Sequence, residues 1–328
     1  MKTRSGLAAI AAALLLAATG ARAAETLSLG TWGASSHPQV KEFTQRFMDE
    51  VKKESHGAIQ FKYFPDGEIV KQKFVPNAIS SGTVDIALAT FDSWAGRIPD
   101  VSATTMPFWP LSMKDTREKL VPGNPIFEWF DRALQKTGGK VLCIFDIGPP
   151  VVSTNFPLHV PADLKGKKIR ATSKGHAQLL QALGAAPVVL SVGDVYQALQ
   201  RGTVDGAAGG LQGMIGLKHY EVAKNLMATN GVMGTYIHGY VMNLRRFNAL
   251  PKDQQAIILK AAENARNHAE DFMIESYGKY LQVAEEKGMK LFELKRGSPE
   301  WDQWQAAEAS FGEKEKKKLS PDFLKLIE

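Results

Sequence analysis

Pro251 to Glu286, PKDQQAIILKAAENARNHAEDFMIESYGKYLQVAEE, is the stretch that decides the fold. These roughly 36 residues have no proline after the first, are rich in Ala, Glu, Lys, Gln and Ile, and hold one glycine, Gly278. An unbroken helix of that length would be about 50 Å long, more than one small lobe needs. The segment therefore predicts a helix that spans two lobes, kinked near Ser276 to Gly278. Two separate helices joined there are the alternative.

Strand and helix patterns alternate before this segment, which predicts an α/β fold. Alternating or buried apolar residues predict strands over 25–30, 59–64 and 84–89. An apolar stripe at helical spacing predicts a helix that begins near Pro38, and a second helix over 126–136 leads to a strand around Cys143. Cys143 lies between apolar neighbours, so we interpret it as a packed core residue rather than a nucleophile.

Gly148-Pro149-Pro150 interrupts the pattern, and a second α/β set follows. Strands are predicted over 151–154, 168–171 and 187–190, with helices through Leu179, through Tyr196 and around 218–223. We therefore expect two lobes joined at a hinge. The expected boundaries are 24–147 plus about 236–275 for lobe I, and 148–235 plus about 276–328 for lobe II.

The first 23 residues have the pattern of a secretory signal peptide. Lys2 and Arg4 precede an apolar run from Leu7 to Ala18, and Ala21-Arg22-Ala23 supplies a cleavage pattern. The run is shorter than the roughly 20 residues of a membrane-spanning helix, so a permanent anchor is the less favoured alternative. We expect cleavage and export to the periplasm.

Removal of this segment changes the charge balance. The whole chain has 40 basic and 34 acidic residues, a net charge of +6, and the segment holds three of the basic ones. The mature chain would therefore carry 37 basic and 34 acidic groups. A net charge of +3 weakens any nucleic-acid interpretation.

Enzyme and metal signatures are absent from the sequence. It has no HExxH, GxSxG, Walker or CxxC motif, and its seven histidines show no zinc-like spacing. We therefore predict no catalytic residues, no metal site and no cofactor. His238 lies in an apolar stretch and could contact a ligand, although a core histidine is the simpler interpretation. The glycines of 206–210 favour a close backbone approach rather than a phosphate site.

Arg170 is the sharpest candidate for binding. It follows Ile169 at the end of a predicted strand, where open α/β sheets place their ligands. A guanidinium there can bind a carboxylate through two parallel hydrogen bonds. A surface arginine paired with a neighbouring acid is an equally good interpretation from the residues alone.

Several motifs resemble the periplasmic substrate-binding proteins of TRAP transporters, of the dicarboxylate-binding DctP type. They are PADLKGKKIR at 161–170, LGAAP at 183–187 and DVYQALQRGTVDG at 194–206. The resemblance implies a two-lobed, class II-like periplasmic binding protein fold that closes on a ligand, with a long helix spanning both lobes. It also implies that Arg170 pairs with the carboxylate of an organic acid, and that TRAP membrane permease subunits are the partners. We expect a monomer, and a dimer formed through the long helix is the alternative.

Two positions depart from that family. Pro150 stands where many relatives have a second arginine, and Gly209 stands where many have an asparagine. Both changes remove polar groups, so we expect a less polar ligand: a monocarboxylate with an apolar or aromatic body, such as a 2-oxo or 2-hydroxy acid. The candidate ligand-binding residues are Arg170, Trp32, Phe91, Trp94, Phe145, Pro150, Ser173, Gly209, Gly210, Met214, His238 and Asn243.

Other functions stay open at this point. The same fold could bind a C4-dicarboxylate or a sugar acid, or could present its closed form to a receptor as a ligand-sensing module. An exported enzyme is less favoured because no nucleophile, base and acid set is present. Ordinary core packing is the alternative for each aromatic candidate.

Overall fold

The computed structural model describes residues 24–328, apart from 34, 36, 38, 39 and 108. The predicted signal segment 1–23 and the predicted helix start at Pro38 lie outside the described residues. Among the helices of the described part, none combines the length and the apolar composition that a membrane crossing requires.

Eleven strands are present in the described part of the chain. They are β1 Glu25–Gly30, β2 Ile59–Phe64, β3 Ile86–Thr90, β4 Gly139–Asp146, β5 Val151–Thr154, β6 Lys168–Ala171, β7 Ala186–Val189, β8 Gly206–Gly209, β9 Asn225–Ala228, β10 Ile237–Asn243 and β11 Lys290–Glu293.

The α-helices of the same residues are α1 Arg46–Glu54, α2 Val75–Ser81, α3 Met113–Lys119, α4 Pro125–Gln135, α5 Lys174–Ala182, α6 Val195–Gln200, α7 Leu211–Gly216, α8 Leu244–Ala249, α9 Lys252–Glu286, α10 Pro299–Lys316 and α11 Pro321–Ile327. A π-helical turn, Lys41–Gln45, precedes α1. Short 3-10 helices cover Gln72–Phe74, Phe91–Trp94, Pro99–Thr105, Pro161–Leu164, Val192–Asp194 and His219–Glu221.

The first sheet has the strand order β2-β1-β3-β10-β4. β1 is parallel to β2 and β3, whereas β10 is antiparallel to both of its neighbours. The carboxyl ends of β3 and β4 therefore meet the amino end of β10 at one edge, where His238 pairs with Thr90 and Phe145. Ligand sites of open α/β sheets lie at such an edge.

The second sheet has the strand order β11-β9-β5-β8-β6-β7. β6 is parallel to β7 and β8, so Ala171, Val189 and Gly209 end at one edge of this sheet. β5 is antiparallel to β8 and begins opposite its last residue, with Val151 paired to Gly209. The chain from the first sheet therefore enters the second sheet at that edge.

Two short segments connect the strands of the two sheets: residues 147–150 between β4 and β5, and residues 229–236, which include a turn at 230–233, between β9 and β10. They lie side by side, since the backbone N–H of Ile147 donates to the carbonyl of Tyr236 over 3.1 Å. This pair of segments forms the hinge of a two-lobed α/β protein, and the predicted fold class is confirmed.

Helix α9 is continuous over 35 residues and crosses both lobes. Its first half packs Ile258, Ala265 and Met273 into the core of the first lobe. Its second half packs Leu281 and Ala284 into the core of the second. The predicted spanning helix is confirmed, and the alternative of two separate helices is wrong.

The last helix packs with the first lobe, although the predicted boundaries place it in the second. Phe323 is buried, with its ring centroid 4.2 Å from that of Trp129 and 6.0 Å from that of Phe130. Ser320 adds two hydrogen bonds to the carboxylate of Asp100. Helix α10, by contrast, buries Trp304 in the second lobe. We therefore propose that lobe I also includes about 319–328.

Cys143 lies inside β4 and is 2% exposed. Burial raises the pKa of its thiol to about 12, so the thiol is un-ionised at neutral pH. The residue behaves as the small apolar core side chain that its neighbours predict.

Candidate ligand-binding cleft

The facing edges of the two lobes enclose a cavity of about 60 Å³. An engineered apolar cavity of roughly 150 Å³ holds benzene, so a cavity of about 60 Å³ takes only a compact group. Its described lining comes from both lobes and from the hinge: Trp32, His37, Gln72, Thr90, Asp92, Thr105, Ile147, Arg170, Thr172, Val192, Val195, Gly209, Gly210, Gly213, Met214, Leu217, His219, Tyr236, Ile237 and His238.

Arg170 lies near the carboxyl end of β6 and is 4% exposed. Its Nε donates to the carbonyl of Leu190 over 3.0 Å, and its Nη1 donates to the carbonyl of Ala208 over 2.9 Å. These two acceptors follow or belong to the flanking strands, so the sheet itself orients the guanidinium. Three of its five N–H donors remain for another partner.

The charge of Arg170 has no counter-ion within the described protein. No carboxylate of the described residues lies within 4.0 Å of the guanidinium. Burial lowers its pKa to about 10, which leaves it protonated at neutral pH. An unpaired buried cation is unfavourable, so an anion is the expected occupant of this end of the cavity.

Gly209 leaves the guanidinium accessible. An added Cβ there would lie 3.1 Å from Cε of Met214 and 3.5 Å from Nη1 of Arg170. A larger side chain at this position would therefore occupy the space beside the cation, whereas glycine keeps it open.

Three histidines line the cavity without adding charge. Burial lowers the pKa of His37 to about 4 and that of His238 to about 3. Burial and the nearby Arg170 lower the pKa of His219 to about 4. All three rings are therefore neutral at pH 7, and Arg170 is the one side chain of the described lining with a fixed positive charge.

Asp92 is the one acidic residue of the described lining and lies in the 3-10 helix after β3. It is partly buried, and burial raises its pKa, whereas interactions with Ser173 and Thr90 oppose that shift. Ser173 begins α5 in the second lobe, where its hydroxyl also caps the N–H of His176 over 3.2 Å. Asp92 of the first lobe and Ser173 of the second therefore lie close to each other at the cleft.

Half of the predicted site residues line the cavity. They are Trp32, Arg170, Gly209, Gly210, Met214 and His238. Ser173 lines a wider opening of about 560 Å³, which shares Gln72, Asp92 and Thr172 with the cavity.

Three predicted aromatic residues pack in the core of the first lobe instead. Phe91 is fully buried edge-on against Phe130, with the ring centroids 5.1 Å apart. Trp94 is 1% exposed and donates from Nε1 to Thr137 over 3.2 Å. Phe145 lies behind the lining, with its ring centroid 6.2 Å from that of His238.

Two predicted polar or hinge candidates also lie off the cavity. Pro150 is buried, and its carbonyl accepts from Thr229 Oγ1 over 2.6 Å. Asn243 lies at the far end of β10 from His238, about 17 Å along the strand at the usual rise. Its amide caps α8 through the N–H of Arg246 and donates to the carbonyl of Ile79.

The sequence interpretation missed several lining residues. Asp92, between two predicted aromatics, and Tyr236, at the start of an apolar strand, carried no motif. Tyr236 donates to or accepts from Nδ1 of His176 over 3.1 Å, which fixes its ring at the hinge. His219 was placed in a predicted helix around 218–223, but the structure has the short 3-10 helix His219–Glu221 there, so that prediction is wrong.

The described residues contain no cluster of three or more His, Cys, Asp or Glu side chains that could hold a metal ion. A buried cation, neutral polar groups and apolar walls lie together at the junction of the two lobes, an arrangement that suits the binding of a small anion.

Two α/β lobes that meet over such a cavity, with a hinge beside it, define a solute-binding protein. The family model of the bacterial extracellular solute-binding proteins, family 7 (DctP), matches residues 29–317. The chain belongs to that family. The resemblance to TRAP transporter solute-binding proteins is confirmed.

Individual relatives are similar over most of their length. The 2,3-diketo-L-gulonate-binding periplasmic protein YiaO of Escherichia coli (strain K12) is 26% identical, with 89% of this chain and 88% of the relative covered. The C4-dicarboxylate-binding periplasmic protein DctP of Rhodobacter capsulatus is 29% identical, with 75% and 74% covered.

A solved structure shows the same fold. The Bordetella pertussis extracytoplasmic solute receptor DctP7, which binds pyroglutamic acid, matches with a TM-score of 0.85 at 20% identity, covering 92% of this chain and 98% of that one. The acids named for these three proteins differ from one another.

Proposed function

We propose that this protein is the periplasmic receptor of a TRAP transporter for a small monocarboxylate with an apolar body, of the 2-oxo or 2-hydroxy acid class. The signal segment 1–23 is cleaved on export, and the mature protein is a monomer. It catalyses no reaction and delivers its ligand to the membrane permease subunits.

The observation that carries the proposal is the unpaired charge of Arg170. The described lining holds this one lysine or arginine, and its three histidines are neutral. One carboxylate on the guanidinium balances the charge of Arg170. A second carboxylate would find no cation in the described lining and would face Asp92 instead.

The walls support an apolar body. Ile147, Val192, Val195, Met214 and Leu217 line the cavity together with the indole of Trp32. Burial of a ligand's apolar surface against such walls contributes roughly 25 cal/mol per Å². The volume of the cavity favours compact acids, and an aromatic body needs the lobes to close less completely.

Ligand capture follows from the two-lobed architecture. A carboxylate held by Arg170 of the second lobe, with its body against Trp32 of the first, contacts both lobes only when they are closed. Its binding therefore shifts the hinge equilibrium towards the closed form, which the membrane subunits recognise.

The test is calorimetric titration of the mature protein, stripped of co-purified ligand by unfolding and refolding. The probes are lactate, pyruvate, 2-hydroxy-3-methylbutanoate, benzoylformate, succinate and galactonate. We expect at least one monocarboxylate to bind and succinate to bind at least about 10-fold more weakly, because its second charge is unpaired. Tighter binding of succinate or galactonate would overturn the ligand class.

Variants of Arg170 test the anchor. Arg170→Gln should weaken binding of the monocarboxylate by about 100-fold or more, and Arg170→Lys should restore only part of it because lysine lacks the planar fork. Arg201→Ala, an exposed arginine, is the matched control. Unchanged affinity in Arg170→Gln would contradict the assignment of the anchor.

A further inference from the structure

His219 has two buried ring nitrogens that the protein leaves without a partner. The residue is 2% exposed and lines the same cavity as Arg170, and neither Nδ1 nor Nε2 has a hydrogen-bond partner among the described residues. Unpaired polar groups in an interior are costly, and most are satisfied in native structures. We therefore expect a ligand in the cavity to supply a hydrogen-bond partner for the ring.

The backbone holds the ring there by a local constraint. Lys218 adopts a left-handed conformation with φ 59°, which a residue with a side chain rarely takes. It turns the chain from α7 into the 3-10 helix, and the carbonyl of His219 then accepts the N–H groups of Val222 over 3.0 Å and Ala223 over 2.8 Å. A turn with such a backbone conformation, held by two hydrogen bonds to the carbonyl of His219, is typical of a positioned functional side chain.

Burial and the positive charge of the nearby Arg170 together lower the pKa of the His219 ring, which keeps the imidazole neutral. A neutral imidazole has one N–H donor and one acceptor nitrogen. It cannot anchor a second carboxylate as a cation would, but it can both give and receive a hydrogen bond from an uncharged polar group.

The size of the cavity decides where that group lies on the ligand. Since the cavity of about 60 Å³ is smaller than the roughly 150 Å³ that holds benzene, an acid anchored on Arg170 has few atoms between its carboxylate and His219. The substituent next to the carboxylate is therefore the one within reach.

We propose that His219 is a specificity-determining residue that hydrogen-bonds the 2-substituent of the acid and selects 2-hydroxy and 2-oxo acids over acids with a plain methylene. The inference rests on the proposed function of the cleft. A hydroxyl can pair with either nitrogen, an oxo group only with the N–H, and a methylene with neither, which gives the affinity order hydroxy, oxo, methylene.

Trp32 provides a comparison within the same cavity. Its Nε1 is also buried without a partner among the described residues, but an indole N–H can only donate. Trp32→Phe should therefore weaken binding of hydroxy and oxo acids to a similar extent. His219→Phe, which removes an acceptor as well as a donor, should affect the hydroxy acid most.

The experiment crosses variants with ligand analogues. Wild type, His219→Gln and His219→Phe are titrated calorimetrically with 2-hydroxy-3-methylbutanoate, 3-methyl-2-oxobutanoate and 3-methylbutanoate. We expect the wild type to prefer the hydroxy acid to the plain acid by about 10-fold, His219→Phe to reduce that preference to within about 3-fold, and His219→Gln, which keeps a donor and an acceptor, to retain part of it.

The outcomes separate the two proposals. If His219→Phe weakens all three acids equally, or none of them, the residue is structural or irrelevant, and the inference is overturned while the proposed function stands. If the wild type binds none of the three acids and Arg170→Gln changes no affinity for any monocarboxylate, both the proposed function and this inference are overturned. Retained binding of the plain acid by His219→Phe shows that the variant is folded.

Discussion

The hydroxyl of Thr235 donates a 2.5 Å hydrogen bond to Oδ1 of Asp146, which joins the two hinge segments. The same oxygen accepts the N–H of Gly148 over 2.7 Å. From helix α9, Glu270 accepts the N–H of Asp146 over 3.2 Å and pairs with Arg266 over 2.9 Å. The two hinge segments and helix α9 thus meet at two buried carboxyl groups.

The two carboxyl groups should make stability fall as pH rises. Burial raises the pKa of Asp146 from 3.8 to about 7 and that of Glu270 from 4.5 to about 7, with Arg266 opposing the shift of Glu270. The folded state therefore binds protons more tightly than the unfolded state. Their contribution is complete below about pH 4 and is lost as pH rises through about 7, so Tm should decline between pH 5 and 8.

Asp146→Asn checks this source of the decline. Its amide keeps an acceptor for Thr235 and Gly148 but does not ionise, so we expect a flatter Tm profile between pH 5 and 8. Glu275→Gln, an exposed acid on the same helix, is the control. A profile for Asp146→Asn as steep as the wild type would show that other groups cause the decline.

Gly213→Ala should hinder closure of the cleft. An added Cβ at this position would lie 2.5 Å from Nε2 of His37, which belongs to the opposite lobe. Since such a contact exists only when the lobes are closed, we expect about 10-fold weaker ligand binding by calorimetry with little change in the Tm of the ligand-free protein.

Gly278→Ala is the matched control for that variant, because an added Cβ there meets nothing within 4 Å. It should bind normally and gain up to about 1 kcal/mol in free energy of unfolding from better helix propensity. Equal affinities of the two variants would mean that Gly213 does not limit closure.

Glu308→Gln should stabilise the protein at high pH. Glu308 is 3% exposed, its Oε1 has no partner among the described residues, and burial raises its pKa to about 9. The folded state therefore keeps the proton on Glu308. The stabilisation that this tighter proton binding gives is lost as pH rises from 4.5 to about 9. In urea unfolding, the free energy of unfolding of the variant should rise relative to that of the wild type from pH 5 to pH 9.

Glu313→Gln, an exposed acid on the same helix, should show no such gain and serves as the control for Glu308. A constant difference in free energy of unfolding between Glu308→Gln and the wild type at pH 5, 7 and 9 would exclude titration of Glu308 as the cause.

Phe323→Ala should release the last helix from the first lobe. The ring is fully buried against Trp129 and Phe130, and loss of such a side chain costs about 3–5 kcal/mol. We expect a lower Tm and faster proteolysis near the C-terminus, whereas Lys325→Ala, on the exposed side, should behave as the wild type. Unchanged stability in Phe323→Ala would contradict the packing role.

The strands were the most predictable part of the fold. The bounds 25–30, 59–64, 151–154 and 168–171 match the structure, because short apolar or alternating runs between turn residues leave few other options. The short helix around 218–223 was wrong because six residues carry too little periodicity to separate an α-helix from a 3-10 turn.

The cleft was predictable only in part. Arg170 was singled out because it follows a predicted strand at the end where open α/β sheets place their ligands, and the structure places it in the lining of the cleft. The aromatic candidates could not be sorted into core and lining without the tertiary packing. Phe91 and Asp92 are neighbours, yet the first is in the core and the second in the cleft. No pattern within the sequence indicates which of them faces the other lobe.

The chain passes from α10 on the second lobe to α11 on the first through Lys317–Ser320. Four extended residues reach at most about 14 Å. The C-terminal link is therefore a short tether between the two lobes. Its length limits how far the two lobes can separate before α10 or α11 unwinds. The tether therefore also limits the size of the solute that can enter the open cleft.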